Sequence, residues 1–297
     1  MKGKIIIKLL TLLMSGVMVV SMFQTAKAQS SKTANLFGQE NLVAWCIVPF
    51  DSKNRNPEQR ITMLKNLNFS QYAYDWRHQH LDSFAEEIGL ARKNNIRISA
   101  VWLWIDRNSD SPGKLSDDNE RLLKILTEEG LKTQLWVGFS NNYFDLANDQ
   151  EKVKVGSEMV SYLRSRTKTM STSIGLYNHG DWFGEPDNQI QIIKQVNDPL
   201  VGIIYNFHHA HQQVDKFAEL LKHMSPWLWC VNIDGMKKDG PQILAVGSGN
   251  EELGMLRTLK ASGYQGLIGI LGHIETEDVE VVLKRNLDGL NVLAKKM

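Results

Sequence analysis

Short apolar runs recur at fairly regular intervals along the chain, and amphipathic stretches separate them. The runs predict eight strands, at residues 42–49, 69–75, 96–105, 133–139, 173–177, 201–206, 228–233 and 266–271. Between and after them, apolar positions repeat with a period close to that of a helix. These stretches predict helices at residues 57–66, 81–94, 117–129, 149–169, 187–196, 214–224, 251–262 and 278–296.

A strand followed by a helix, eight times over, is typical of a single (β/α)8 TIM barrel of class α/β. The alternative is an open, doubly wound sheet, which usually carries a glycine fingerprint after its first strand. That turn reads PFDSKNRNP here and contains no GxGxxG motif, so the barrel is the favoured prediction.

The first 28 residues predict a secretory signal peptide rather than a part of the fold. Lys2, Lys4 and Lys8 form a basic start, an apolar stretch follows at residues 9–23, and Ala26-Lys27-Ala28 supplies a small-x-small cleavage site. An uncleaved membrane anchor is the alternative, although the apolar stretch is short for a span. We therefore expect an exported barrel domain at residues 29–297, in a bacterial periplasm, with no stable membrane insertion after cleavage.

Charge and cysteine content narrow the classes of function. With 34 basic and 33 acidic residues the net charge is +1, and no basic stripe is present, so nucleic acid is not an expected partner. The two cysteines, Cys46 and Cys230, lie in the first and seventh apolar runs, which are not neighbours in an eight-stranded barrel. We predict two buried free thiols, with a disulfide as the alternative. Nothing in the sequence indicates an oligomeric state.

Two polar clusters directly follow apolar runs: NHGDWFGEP at residues 178–186 and NFHHAH at residues 206–211. Buried imidazoles and amides are costly unless they are paired, and barrel enzymes carry their chemistry at the carboxyl ends of the strands. We therefore predict His179, His209 and Asp234 as catalytic residues. Tryptophan faces and polar groups at the strand ends suit a small hydroxylated ligand.

The predicted substrate contacts are polar or aromatic residues that follow the predicted strands. They are Asp75, Arg77, Trp104, Asn178, Trp182, Glu185, Asn206, Asn232 and Lys237. Some have simpler roles: Asp75 and Arg77 could form a loop salt bridge, and Glu185 could place charge at a helix N-terminus. We expect Trp102 and Trp136 to fill space between the barrel and its helices.

The segments AWCIVPFD, YAYDWR, GLYNHGDWFGEP, YNFHHAH, NIDGM and GILGH resemble an exported branch of the xylose-isomerase-like TIM barrels. This superfamily contains sugar and sugar-phosphate isomerases and epimerases, and the resemblance covers nearly the whole mature chain. Its typical members hold one divalent metal with Glu, Asp, His and Glu at the ends of strands five to eight. Here Tyr177, Asn206, Asn232 and Leu271 fall at or near those positions, while His209 matches the histidine of the DxxH motif. The resemblance thus implies that the usual metal site is lost.

Two replacements for that site are open. One is a relocated zinc or manganese site, with candidate ligands His179, His209, His211 and His273 beside Asp234, since imidazole suits late transition metals. The other is metal-free chemistry, in which a histidine is the base and Lys237, Asn178 and Asn232 stabilise an enolate.

The sequence and the resemblance together predict an exported sugar isomerase or epimerase. Such an enzyme removes a proton next to the carbonyl of a non-phosphorylated or oxidised sugar. The alternatives are a lyase or hydratase acting on a keto-sugar and a non-catalytic carbohydrate-binding barrel.

Overall fold

A computed structural model describes residues 35–297, so the predicted signal segment at residues 1–28 lies outside the described part of the chain. Eight parallel strands close into a barrel in chain order, each paired with the next and the last with the first. The strands are β1 (Leu42–Trp45), β2 (Gln71–Tyr74), β3 (Arg97–Ile105), β4 (Gln134–Phe139), β5 (Ser173–Tyr177), β6 (Val201–Asn206), β7 (Leu228–Ile233) and β8 (Leu267–Leu271). This confirms the predicted single (β/α)8 barrel.

One α-helix follows each strand, as the sequence predicts. The helices are α1 (Pro57–Asn66), α2 (Phe84–Lys93), α3 (Asp117–Glu128), α4 (Asp149–Thr167), α5 (Pro186–Val196), α6 (Phe217–Met224), α7 (Glu252–Ala261) and α8 (Val279–Ala294). Helices α2 and α6 begin three residues later than predicted, because 3₁₀ turns occupy His78–Ser83 and His211–Lys216. Helix α1 begins at a capping box formed by Asn56 and Gln59, with proline at its first position.

Two hydrophobic layers follow from the alternation of side chains along the strands. One residue set, with Val43, Ala73, Ala100 and Ile204 among its members, fills the barrel interior. The intervening residues pack between the barrel and the surrounding helices. Cys46 and Cys230 are buried free thiols, as predicted.

Strand β3 is the longest of the eight, with nine residues against four in β1 and β2. It therefore carries its inward-facing Trp102 and Trp104 to the mouth of the barrel. Gly138 on β4 makes room for them, because a Cβ atom there would lie 2.5 Å from the Trp102 ring. None of the helices within residues 35–297 is long and apolar enough to cross a membrane.

Candidate active site

A cavity of about 1300 Å³ opens at the carboxyl ends of the strands. Ligand pockets for small molecules usually measure about 300–1000 Å³, so a sugar fits with room to spare. Trp45 and Tyr177 line it above the packed barrel interior, and Trp102 and Trp104 form one wall.

The tryptophan wall is an ordered aromatic surface. The Trp102 and Trp104 rings are stacked, with centroids 5.9 Å apart and planes 27° apart. Trp102 packs edge-on to Tyr177 at 5.0 Å, and Trp104 packs edge-on to His179 at the same distance. Flat apolar faces beside hydrogen-bonding groups are suited to the C–H faces and hydroxyls of a sugar ring.

Four imidazoles stand in a row across the cavity: His179, His209, His208 and His273. Successive ring centroids along the row are 4.5, 4.5 and 4.8 Å apart. The row brings together side chains from the loops after β5, β6 and β8, so only the closed barrel assembles it.

Burial keeps these imidazoles neutral at physiological pH. Burial, together with the neighbouring imidazoles, lowers the pKa of His209 to about 2 and that of His208 to about 3. The pKa of His273 is lowered to about 4, mainly by burial and to a smaller extent by the charge of Arg77. Burial also lowers the pKa of His179. A neutral imidazole both donates and accepts a hydrogen bond, which matches a hydroxylated ligand.

Asp75, directly after β2, is a buried carboxyl that lines the cavity. Its Oδ1 accepts the backbone N–H groups of Ile47 and Val48 at 3.2 and 3.1 Å. Its Oδ2 is buried and has no hydrogen-bond partner within residues 35–297. Burial raises its pKa to about 7 despite these two bonds, so the carboxyl can give or take a proton at neutral pH.

The backbone conformation at the end of β1 positions the N–H groups that bond Asp75. Cys46 has a φ of 57°, a left-handed conformation that is uncommon for a residue with a side chain. The turn ends β1 at Trp45, earlier than the sequence predicts, and presents the two following N–H groups to Asp75. Strain of this kind is often found at functional sites.

Asp234 lies behind the histidine row rather than in the main cavity. Its Oδ2 is 4.0 Å from Nδ1 of His208, and its oxygens accept the N–H groups of Gly235 and Leu244. Burial raises its pKa to about 8. Asp234 therefore contacts the site through His208 and the loop after β7.

The structure brings five of the predicted substrate-site and catalytic residues to the cavity: Asp75, Arg77, Trp104, His179 and His209. His273, a candidate metal ligand, lines it too. Asp75 and Arg77 form no salt bridge with each other; Arg77 instead lies over the Phe50 ring at 5.4 Å.

Six predicted substrate contacts do not reach the cavity, and three of them are Trp182, Glu185 and Lys237. Trp182 packs on Phe144, with ring centroids 5.0 Å apart, and Glu185 is an exposed residue at the N-terminus of α5. Lys237 is exposed, so its predicted role beside an enolate is corrected.

Two of the three predicted asparagines join neighbouring strands. Asn178 faces outward, and its side chain bonds the backbone of Asn206 through Nδ2 at 3.1 Å and Oδ1 at 2.6 Å. Asn206 itself donates to the Tyr177 hydroxyl and accepts the N–H of His208. Asn232 is fully buried below the mouth. None of the three is among the cavity-lining residues.

Several residues line the cavity that the sequence does not predict there. Trp102 lines the cavity and Trp136 lies in the barrel interior, which corrects their predicted place between barrel and helices. Trp45 and Tyr177 also line the cavity, although neither is among the predicted catalytic or substrate-binding residues. The alternation of side chains could have predicted these positions, because every second residue of a strand faces the barrel axis. Trp45, Trp102, Trp136 and Tyr177 all occupy such inward-facing positions. His208 lies in the NFHHAH cluster that follows β6, but it is not among the predicted catalytic or substrate-binding residues.

The residues at the expected metal positions do not fit a divalent cation. Tyr177 offers a phenol already bonded to Trp45 and Asn206, and Leu271 is apolar. Within residues 35–297 no group of three or more His, Cys, Asp or Glu side chains could hold a metal ion. His211 is separate from the histidine row, since its ring nitrogens bond the carbonyls of Lys237 and Gln242 at 3.0 and 3.1 Å. The predicted histidine-rich metal site is thus not assembled in this structure.

The fold of this chain matches those of solved structures, although its sequence matches no known family model. No protein-family model matches the chain, and no curated protein matches it in sequence. Among solved structures, a 3-keto-D-glucoside 4-epimerase from E. coli is 17% identical with a TM-score of 0.65, covering 86% of this chain and 99% of its own. The IOLI protein with a bound zinc atom is 12% identical, with a TM-score of 0.67 and coverage of 86% and 98%.

A probable 3-DHS dehydratase from Bacillus anthracis is 11% identical with a TM-score of 0.62, covering 84% of this chain and 98% of its own. At these identities the similarity shows the fold alone. The protein is a (β/α)8 barrel of the architecture that these three solved structures share.

Proposed function

We propose that the protein is an enzyme that moves a proton on a carbon next to the carbonyl of a neutral sugar, as sugar epimerases and isomerases do. The observation that carries this proposal is the position of Asp75 relative to His209. Both line one cavity, and they follow β2 and β6, which are diametrically opposite in a barrel of eight strands in chain order.

Groups on opposite sides of a bound sugar can remove a proton from one face of a carbon and return it to the other. Asp75, with a pKa near 7, is suited to the first transfer. His209 is neutral in the free protein, and the negative charge of an enolate beside it favours uptake of a proton from solvent. His209 gives that proton to the opposite face of the carbon, and Asp75 releases the proton it took to solvent. His179, 4.5 Å from His209, would orient the sugar or share the proton.

The charge of the cavity favours a sugar without phosphate. Within the described residues, Arg77 is the only lysine or arginine among the lining residues. The carboxyls lining the cavity outnumber it: Asp75, Asp106, Asp110, Asp117 and Asp118. A phosphate dianion would be repelled, whereas carboxylates and imidazoles bind hydroxyls. The predicted export of the chain agrees with this choice, because phosphorylated sugars are mostly cytoplasmic.

Exchange of carbon-bound protons in D₂O tests the proposal directly. Purified protein starting at residue 29 is incubated with a 3-keto-D-glucoside, D-psicose, D-fructose, D-tagatose and L-ribulose, and ¹H NMR follows the signal next to the carbonyl. We expect loss of that signal for at least one sugar. Inverted stereochemistry identifies an epimerase, a moved carbonyl an isomerase, and an unsaturated product the lyase alternative.

Saturable binding without exchange of any proton would contradict the proposal and leave a carbohydrate-binding barrel. A matched control is the Asp75→Asn protein, which keeps the acceptor for the Ile47 and Val48 N–H groups but cannot transfer the proton.

A further inference from the structure

The environment of the Tyr177 hydroxyl is unusual for a buried phenol, because its neighbours are hydrogen-bond donors. Trp45 Nε1 donates to it from across the barrel at 2.8 Å, and Asn206 Nδ2 donates to it from the next strand. The side chain of Asn232 also faces this oxygen, and its Nδ2 has no partner of its own.

These contacts leave the phenol proton without an acceptor among the described residues. The orientation of Asn206 is fixed, because its Oδ1 accepts the N–H of His208 at 3.1 Å and only its Nδ2 can face the phenol. The Asn232 Oδ1 lies by the Cys230 thiol, 3.5 Å away. With its lone pairs occupied by N–H donors, the hydroxyl can only donate.

Tyr177 lines the cavity, and its ring centroid lies 5.8 Å from that of His209. A hydroxyl that receives hydrogen bonds is polarised and becomes a stronger donor. Burial raises the pKa of Tyr177 well above its usual value, which keeps the proton on the phenol at physiological pH.

We propose that Tyr177 is a catalytic residue that donates a hydrogen bond to the carbonyl oxygen of the substrate. This inference rests on the proposed function and adds to it the group that stabilises the developing charge. As the base takes the proton from carbon, the C–H electrons form a carbon–carbon double bond and the carbonyl π electrons move to oxygen. Tyr177 holds that oxyanion without giving up its own proton. When a proton returns to carbon, from the opposite face in an epimerisation, the electrons of the double bond take it up and the carbonyl forms again.

The test compares Tyr177→Phe with Tyr205→Phe in the D₂O exchange assay. Tyr205 is a matched control: it is a buried tyrosine of β6 whose hydroxyl donates to Gln213 at 2.9 Å on the helix side of the barrel. Loss of a donor to an oxyanion lowers kcat by about 10²–10³-fold, so we expect that fall for Tyr177→Phe. We expect KM to change less than about threefold, because the bond strengthens mainly as charge develops.

Equal exchange rates for wild type and a folded Tyr177→Phe protein would overturn the role of Tyr177 and leave the proposed function intact. Absence of exchange by the wild type with every sugar would overturn both. If Tyr177→Phe does not fold, site-specific 3-fluorotyrosine at position 177 retains the oxygen and its donors while making the hydroxyl more acidic. The exchange rate should then rise about twofold or more, and an unchanged rate would refute the proposal.

Discussion

Replacement of Asp75 by asparagine should make the free energy of unfolding depend less on pH. The same replacement should remove the proton-exchange activity. Asparagine keeps an oxygen that can accept the N–H groups of Ile47 and Val48, and it replaces the unpartnered Oδ2 by an amide. The variant therefore removes one titrating proton with little change of shape.

The size of the stability effect follows from the shift of the Asp75 pKa. Burial raises it from 3.8 to about 7 in the folded protein. Between these values the folded carboxyl is protonated and the unfolded one is ionised, so the unfolding free energy falls as the pH rises. From about pH 5 to about pH 7 that loss is roughly 1.4 kcal/mol per pH unit, or about 3 kcal/mol in all.

Urea unfolding of wild type and Asp75→Asn at about pH 5 and about pH 8 measures the effect. We expect wild type to lose about 3 kcal/mol more than the variant between the two conditions. Any fixed cost of the buried amide cancels in this double difference, and so does the titration of Asp234, which both proteins share. Proton exchange should fall by about 10²–10⁴-fold in the variant, because a positioned acid–base group is lost.

Identical pH dependence in the two proteins would mean that Asp75 is ionised in the folded state from low pH, and would refute its raised pKa. Full exchange activity in the variant would separately remove Asp75 from proton transfer.

Three further substitutions test other parts of the site and barrel. His179→Gln should lower the exchange rate by about 10²-fold, and wild-type turnover would remove its proposed role. Trp104→Ala should raise KM roughly tenfold with little change in kcat, seen in saturation kinetics, because a stacking face is lost; an equal fall in kcat would argue against a binding role. Gly269→Ala places a Cβ atom 1.8 Å from Asn232 Oδ1 and should destabilise the fold by about 3 kcal/mol in urea unfolding. Gly254→Ala is its control, since no atom lies within 4 Å and the helix should gain about 0.5–1 kcal/mol; similar stability of both variants would contradict the packing argument.

The elements could be predicted from the sequence because local patterns define them. The apolar run at residues 173–177 is the observed β5, and Asn56-Pro57 marks the observed start of α1. Eight such strand–helix units have few compatible architectures, so the barrel followed from the pattern.

The candidate site was predicted only in part, because the direction of a side chain depends on strand parity and on distant neighbours. Asn178 and Tyr177 are adjacent in sequence, yet Asn178 turns outward to bond Asn206 while Tyr177 faces the cavity. Lys237 is polar and follows β7, as a site residue would, but its loop carries it to the surface.

The sequence by itself determined the barrel, its strand order and the set of polar residues at the carboxyl ends of its strands. Only the tertiary structure decided that Asp75 has a pKa near 7 and that the Tyr177 hydroxyl is surrounded by donors. The physical reason is that both properties arise from burial and from contacts made across the closed barrel. Trp45 and Tyr177 are 132 positions apart in the chain, and they meet only once all eight strands are in place.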